Sequence, residues 1–158
     1  MKTLICMALG VLALAAAPAE PVTWKLEEAP AKPVKAGSRF TVKVVAKIEE
    51  GWHVYSMKAV EDGPVATRVW LPATDGQLFE LAGPVKADPP QVVQDKTLNM
   101  EVELYEGSAG FAVPVRVVPG AAAGTQQLVV NATYRSCNNR LCLPPKTVKV
   151  EAAVTIGK

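Results

Sequence analysis

From residue 40 onward, apolar and polar side chains alternate with a period of two, and this constrains the fold more than any other feature. Phe40, Val42, Val44, Ala46 and Ile48 are apolar, with Thr41, Lys43 and Lys47 between them. Leu98, Met100, Val102 and Leu104 repeat the pattern, as do Phe111, Val113, Val115 and Val117. Leu128, Val130, Ala132 and Tyr134 follow, and Val148, Val150, Ala152, Val154 and Ile156 close the chain. Residues 68–71 form a shorter run, closed by Pro72. Successive side chains of a strand point to opposite faces, so this period with β-branched residues predicts strands buried on one face.

Turn-forming residues separate the runs: Glu50-Gly51, Asp62-Gly63-Pro64, Asp75-Gly76, Asp88-Pro89-Pro90, Glu106-Gly107 and Pro119-Gly120. Residues 121–124 read as a small-residue loop, and residues 20–35 as a loose lead-in with one strand near Val22. No amphipathic helical window of useful length and no internal repeat is present. Many short strands at this spacing predict an all-β fold, a two-sheet β-sandwich of immunoglobulin-like type.

The N-terminus predicts export. Lys2 is followed by an uncharged apolar run over residues 4–15, and Ala17-Pro18-Ala19 fits a small-residue cleavage site. Residues 1–19 are expected to be a signal peptide that is removed, leaving residues 20–158 as one domain. Cys6 would leave with the signal, so three cysteines become two, Cys137 and Cys142. Lys2 would leave as well, so 17 basic residues become 16 against 15 acidic ones. That balance gives no electrostatic case for nucleic acid or anionic lipid. Asn131-Ala132-Thr133 fits the glycosylation pattern, which has meaning only in a eukaryotic secretory path.

Two thiols exported together tend to pair. Cys137 and Cys142 are four residues apart in "YRSCNNRLCLPP", after one predicted strand and before another. Asn138 and Asn139 tolerate positive φ and favour a tight turn. Across a hairpin neck the two Cα atoms would be ~4.5–5.5 Å apart, within reach of a disulfide. Pro144 and Pro145 stiffen the exit. A structural staple is one reading, although so short a loop stabilises by only ~2 kcal/mol on the chain-entropy model. A redox pair is another, since a bond near a hairpin tip is open to an attacking thiolate. A third is a Cu(I) site with His53 and Met57 or Met100, but C-x4-C is not a zinc spacing and the chain has one histidine. Nucleophilic Cys–His catalysis has only His53 as a base and no orienting group.

Four stretches, taken in order, resemble a known family: "EGWHVYSM" (residues 50–57), "GPVATRV" (63–69), "ELYEGSAGFAVPVRV" (103–117) and "TYRSCNNRLCLPPKTVKV" (133–150). They are similar to the N-terminal periplasmic domain of the thiol:disulfide interchange protein DsbD. The resemblance implies an immunoglobulin-like domain with one redox-active pair, Cys137 and Cys142, and no cofactor, because the sulfurs carry the electrons. Cys142 would form the mixed disulfide with a partner and Cys137 would resolve it. His53 and Tyr55 would line the site, with Asp95, Leu98 and Tyr134 as further candidate walls. Trp52 flanks His53, and Arg135 and Arg140 are candidates for favouring a thiolate.

The implied activity is that of a protein-disulfide reductase or interchange component in the periplasm. Electrons would come from a thioredoxin-like protein or a DsbD-type membrane conduit acting in trans, since the chain is expected to end after this one domain. Acceptors would be disulfide isomerases or cytochrome c maturation proteins, and a monomer is expected. The interval between the cysteines is one residue shorter than in the best-known members. The segment matching the family's covering loop, residues 95–98, carries Leu98 where an aromatic residue is usual. The alternative is a non-catalytic secreted binding module whose disulfide only fixes a loop.

Overall fold

The computed structural model describes residues 20–73, 77–96 and 98–158. The expected signal peptide with Cys6, the Asp75-Gly76 turn and Thr97 lie outside the described residues. The strands are β1 (Val22–Glu28), β2 (Val34–Lys35), β3 (Arg39–Ile48), β4 (His53–Tyr55), β5 (Arg68–Trp70), β6 (Phe79–Leu81) and β7 (Lys86–Ala87). They continue with β8 (Gln91–Asp95), β9 (Met100–Tyr105), β10 (Ser108–Val117), β11 (Gly124–Tyr134), β12 (Ser136–Cys137) and β13 (Lys146–Gly157). The described residues contain no helix.

One sheet has the order β1-β3-β10-β6, with β7 also on β10, and a second has the order β2-β13-β11-β5. Their inward faces meet in one core. Val42, Val44 and Ala46 of β3 and Phe111, Val113, Val115 and Val117 of β10 come from the first sheet. Leu128, Val130 and Ala132 of β11 and Val154 and Ile156 of β13 come from the second. These are the residues that the period of two assigns to one face. Each fully buried Val, Leu, Ile or Phe among them contributes roughly 1.5–3 kcal/mol relative to exposure. Trp24 of β1 closes one end, with ring centroids 5.4 Å from Phe111 and 5.2 Å from Tyr134.

A third sheet, β12-β4-β9-β8, extends beyond the expected two layers. It is joined to the first sheet by the β9–β10 turn, where Gly107 takes φ 69° and its carbonyl accepts the amide of Ile48 at 2.8 Å. Only Gly readily adopts that φ, which is why Glu106-Gly107 marks the corner. Val54 of β4 and Tyr105 of β9 face the main core, whereas Tyr55, Val102, Leu104 and Cys137 form a separate small core. Leu98 does not extend β9 as its alternation suggests. Asn99 takes φ 52°, which breaks the strand before Met100 and leaves Leu98 in the preceding turn. The lead-in also holds more structure than expected, because β2 pairs parallel with the end of β13 through Val34 and Ile156.

Candidate functional site

The site begins with the alternation of β4. Val54 points into the main core, so His53 and Tyr55 point to the opposite face. The strand is held at its far end by Thr67, whose buried hydroxyl donates to the Tyr55 carbonyl at 2.6 Å. The Thr67 amide also donates to the Ser56 carbonyl at 3.0 Å.

After Tyr134 the chain leaves the second sheet and joins the third. Ser136 pairs with Val54 and Cys137 with His53, so β12 becomes an edge strand on β4. A hairpin follows. The Leu143 amide donates to the Ser136 carbonyl, and the Asn138 amide to the Leu141 carbonyl, both at 2.9 Å. Arg135 Nε donates to the Leu143 carbonyl at 3.0 Å across the base. The tip turns through the Asn138 side chain, whose Oδ1 accepts the amides of Arg140 (2.8 Å) and Leu141 (3.0 Å). Neither Asn138 nor Asn139 has positive φ; among described non-glycine residues only Asp62 and Asn99 do. The expected turn is therefore made by side-chain capping rather than left-handed backbone.

Cys137 and Cys142 are bonded across this hairpin, with S–S 2.00 Å and Cα–Cα 4.0 Å. The Cα separation is shorter than the expected 4.5–5.5 Å range. The backbone hydrogen bonds run through the residues on either side, so the cysteines occupy the non-hydrogen-bonded position, the closer of the two kinds of antiparallel pair. The two residues differ in access. Cys137 is 1% exposed and packs into the small core, whereas Cys142 is exposed.

The disulfide opens on a cleft of about 740 Å³. Four of the candidate wall residues line it: His53, Tyr55, Asp95 and Leu98. The Tyr55 hydroxyl donates to Asp95 Oδ2 at 3.2 Å, while Asp95 Oδ1 accepts the Leu98 amide at 3.0 Å. Asp95 thus ties the loop bearing Leu98 to the cleft floor. Burial, and then the Asp95 carboxylate, push the Tyr55 pKa up to about 12. Burial lowers the His53 pKa, opposed by the charges of Glu106 and Asp95. The His53 and Tyr55 rings meet edge to face at 5.2 Å.

Tyr134 is not on the wall. It is buried in the main core against Trp24, because its place in β11 turns it inward before the chain switches sheets. Arg135 and Arg140 both reach the cleft. Of the methionines of the copper reading, Met57 packs on the main core and Met100 on the small core that also holds Cys137, and neither lines the cleft. Sequence reasoning missed Val93, Leu104, Glu106 and Leu141 as cleft residues. The places of Leu141 between the two cysteines and of Glu106 at a turn were the hints the sequence held.

A sequence model of the family described as thiol:disulfide interchange protein DsbD, N-terminal, matches residues 23–153. The chain belongs to this family. Both cysteines, β4 and the Asp95 loop fall inside the matched stretch. Among solved structures, it is similar to the reduced DsbD N-terminal domain of Neisseria meningitidis. That match has 18% identity over 77% of this chain and 86% of the other, with a TM-score of 0.49. The donor-strand-complemented CssB subunit of Escherichia coli colonization factor CS6 matches at 14% identity over 87% and 97% of the two chains, TM-score 0.42. A PapD-like domain of human CEP192 matches at 11% identity over 98% and 97%, TM-score 0.37. No curated protein matches. DsbD N-terminal domains are periplasmic and immunoglobulin-like. Membership, together with the bonded pair, supports a thiol–disulfide exchange domain. Among the described residues, no helix is long and apolar enough to cross a membrane.

Proposed function

We propose that this domain is a periplasmic electron relay that cycles Cys137 and Cys142 between disulfide and dithiol. The observation that carries the proposal is the unequal access of the two sulfurs, with Cys142 exposed beside the cleft and Cys137 buried behind it. A thiolate of a thioredoxin-like donor attacks Cys142 Sγ. The Cys137–Cys142 bond breaks, and Cys137 sulfur departs with the electron pair and takes up a proton. The donor's second thiol then attacks its own sulfur in the mixed disulfide, which frees Cys142. The donor dithiol is oxidised and the pair is reduced by two electrons.

In the second half-cycle Cys142 attacks an acceptor disulfide and Cys137 resolves the mixed species. The acceptors we propose are periplasmic disulfide isomerases and cytochrome c maturation proteins, and the donor is a thioredoxin-like redox protein or a DsbD-type membrane conduit. Residues 1–19 serve as the export signal. Removing the resolving sulfur tests this reading. A Cys137→Ser variant whose Cys142 is first converted to a mixed disulfide with a chromophoric aromatic thiol should accumulate a mixed disulfide with a single-cysteine thioredoxin-like protein: the partner thiolate attacks Cys142 Sγ and the aromatic thiol leaves with the electron pair. A Cys142→Ser variant should not, because its remaining sulfur is buried. Equal capture by both variants, or by neither, would overturn the reading.

A further inference from the structure

His53 Nε2 is buried and has no hydrogen-bond partner. The indole nitrogens of Trp24 and Trp70 share that condition but do not line the disulfide cleft. Buried polar atoms are nearly always paired, so an orphan in a functional cleft calls for an explanation. His53 and Cys137 are direct cross-strand partners on β4 and β12. Such residues point to the same face, with Cβ atoms roughly 4.5–5.5 Å apart. Both also line the cleft. While the disulfide is closed, Cys137 sulfur carries no proton to offer. Once it is reduced, Cys137 gains an S–H on the residue directly across from His53.

We propose that His53 Nε2 accepts the Cys137 thiol proton and is the proton-transfer group for opening and closing the disulfide. The proposal rests on the exchange reading above. In the mixed disulfide, the Cys137 proton passes to Nε2 and the resulting thiolate attacks Cys142 Sγ. The bond from Cys142 to the partner breaks, the partner sulfur leaves with the electron pair, and the Cys137–Cys142 bond forms. In the reverse direction Cys137 sulfur leaves with the electron pair and recovers the proton from the imidazolium.

The surroundings suit both protonation states. Burial favours the neutral ring, which keeps the Nε2 lone pair available. Glu106 from the β9–β10 turn and Asp95 from β8 supply negative charge that favours the transient imidazolium. Tyr55 lies edge-on beside the ring. Lys96, Arg135 and Arg140 are the cationic groups of the same cleft and oppose that gain.

His53 is the chain's one histidine, so its NMR signals need no assignment by mutagenesis. Imidazole nitrogen shifts of the wild-type domain should be followed against pH in the oxidised and reduced forms. We expect the titration midpoint and the Nε2 shift to differ between the two forms. In parallel, Cys142 is loaded with a chromophoric aromatic thiol, and release of that thiol reports closure of the pair. Wild-type closure should rise through the His53 titration and then level off. H53Q should lose that inflection and close roughly tenfold or more slowly near neutral pH, as expected for a missing general base. Identical His53 titrations in both redox forms, or an unchanged H53Q profile, would overturn the proposal while leaving the exchange reading in place. If the wild-type pair neither opens nor closes with a dithiol partner, the exchange reading fails and this proposal falls with it.

Discussion

Reducing the disulfide should cost little stability, and the size of that cost separates a working redox pair from a staple. The bond closes a loop of only five residues' separation. On the chain-entropy model a loop this short contributes about 2 kcal/mol, against about 4.7 for a 100-residue loop. The hairpin also keeps its other ties when the bond opens. Leu143 to Ser136, Asn138 to Leu141, the two amides on Asn138 Oδ1, and Arg135 to Leu143 all remain. The main core, built from the first two sheets, contains neither cysteine. Urea unfolding of the oxidised and reduced domains measures the difference. With a slope of about 2 kcal/mol/M, the midpoint should fall by about 1 M with the slope itself unchanged. The same cycle makes the folded pair harder to reduce than the unfolded pair by about 45 mV. A reduced chain that fails to fold, or a loss of about 4 kcal/mol or more, would show that the bond holds the fold together.

Four further outcomes follow from the structure. Thr67→Val removes a buried hydroxyl that donates to the Tyr55 carbonyl, and should cost about 1–3 kcal/mol in urea unfolding. Thr155→Val, at an exposed cross-strand pair with Thr125, should stay within about 0.5 kcal/mol. His53 has a lowered pKa in the folded state, so the unfolded chain binds its proton first as pH falls below 6.5. Stability present above 6.5 should therefore decline below it, and the difference between wild type and H53Q urea midpoints should show this. Tyr55 is held up to about 12, so its phenolate absorbance should appear well above the ordinary pH 10, and Asp95→Asn should move it back down.

The long strands were legible because β3, β10, β11 and β13 bury one face and expose the other, which writes the period of two directly into the residues. The third sheet was not. β4 has three residues, too few to show a period. β8 is an edge strand whose Val92 is 59% exposed, so its apolar residues do not alternate with burial. Asn99 interrupts a run that otherwise scans as continuous from Leu98. The cysteine pair could be read from its spacing, and His53 and Tyr55 from their shared motif. The burial of Cys137 against the exposure of Cys142 could not, because it depends on the chain changing sheets after Tyr134. The same switch explains why Tyr134, three residues away in sequence, belongs to a different core.

The most direct test of the account is an equilibrium redox titration of the purified domain, followed by mixing with a thioredoxin-like dithiol. A working redox pair should give one two-electron transition with a potential above about −300 mV, and be reduced rapidly by the dithiol protein. A potential below about −300 mV, with no exchange, would contradict a redox role.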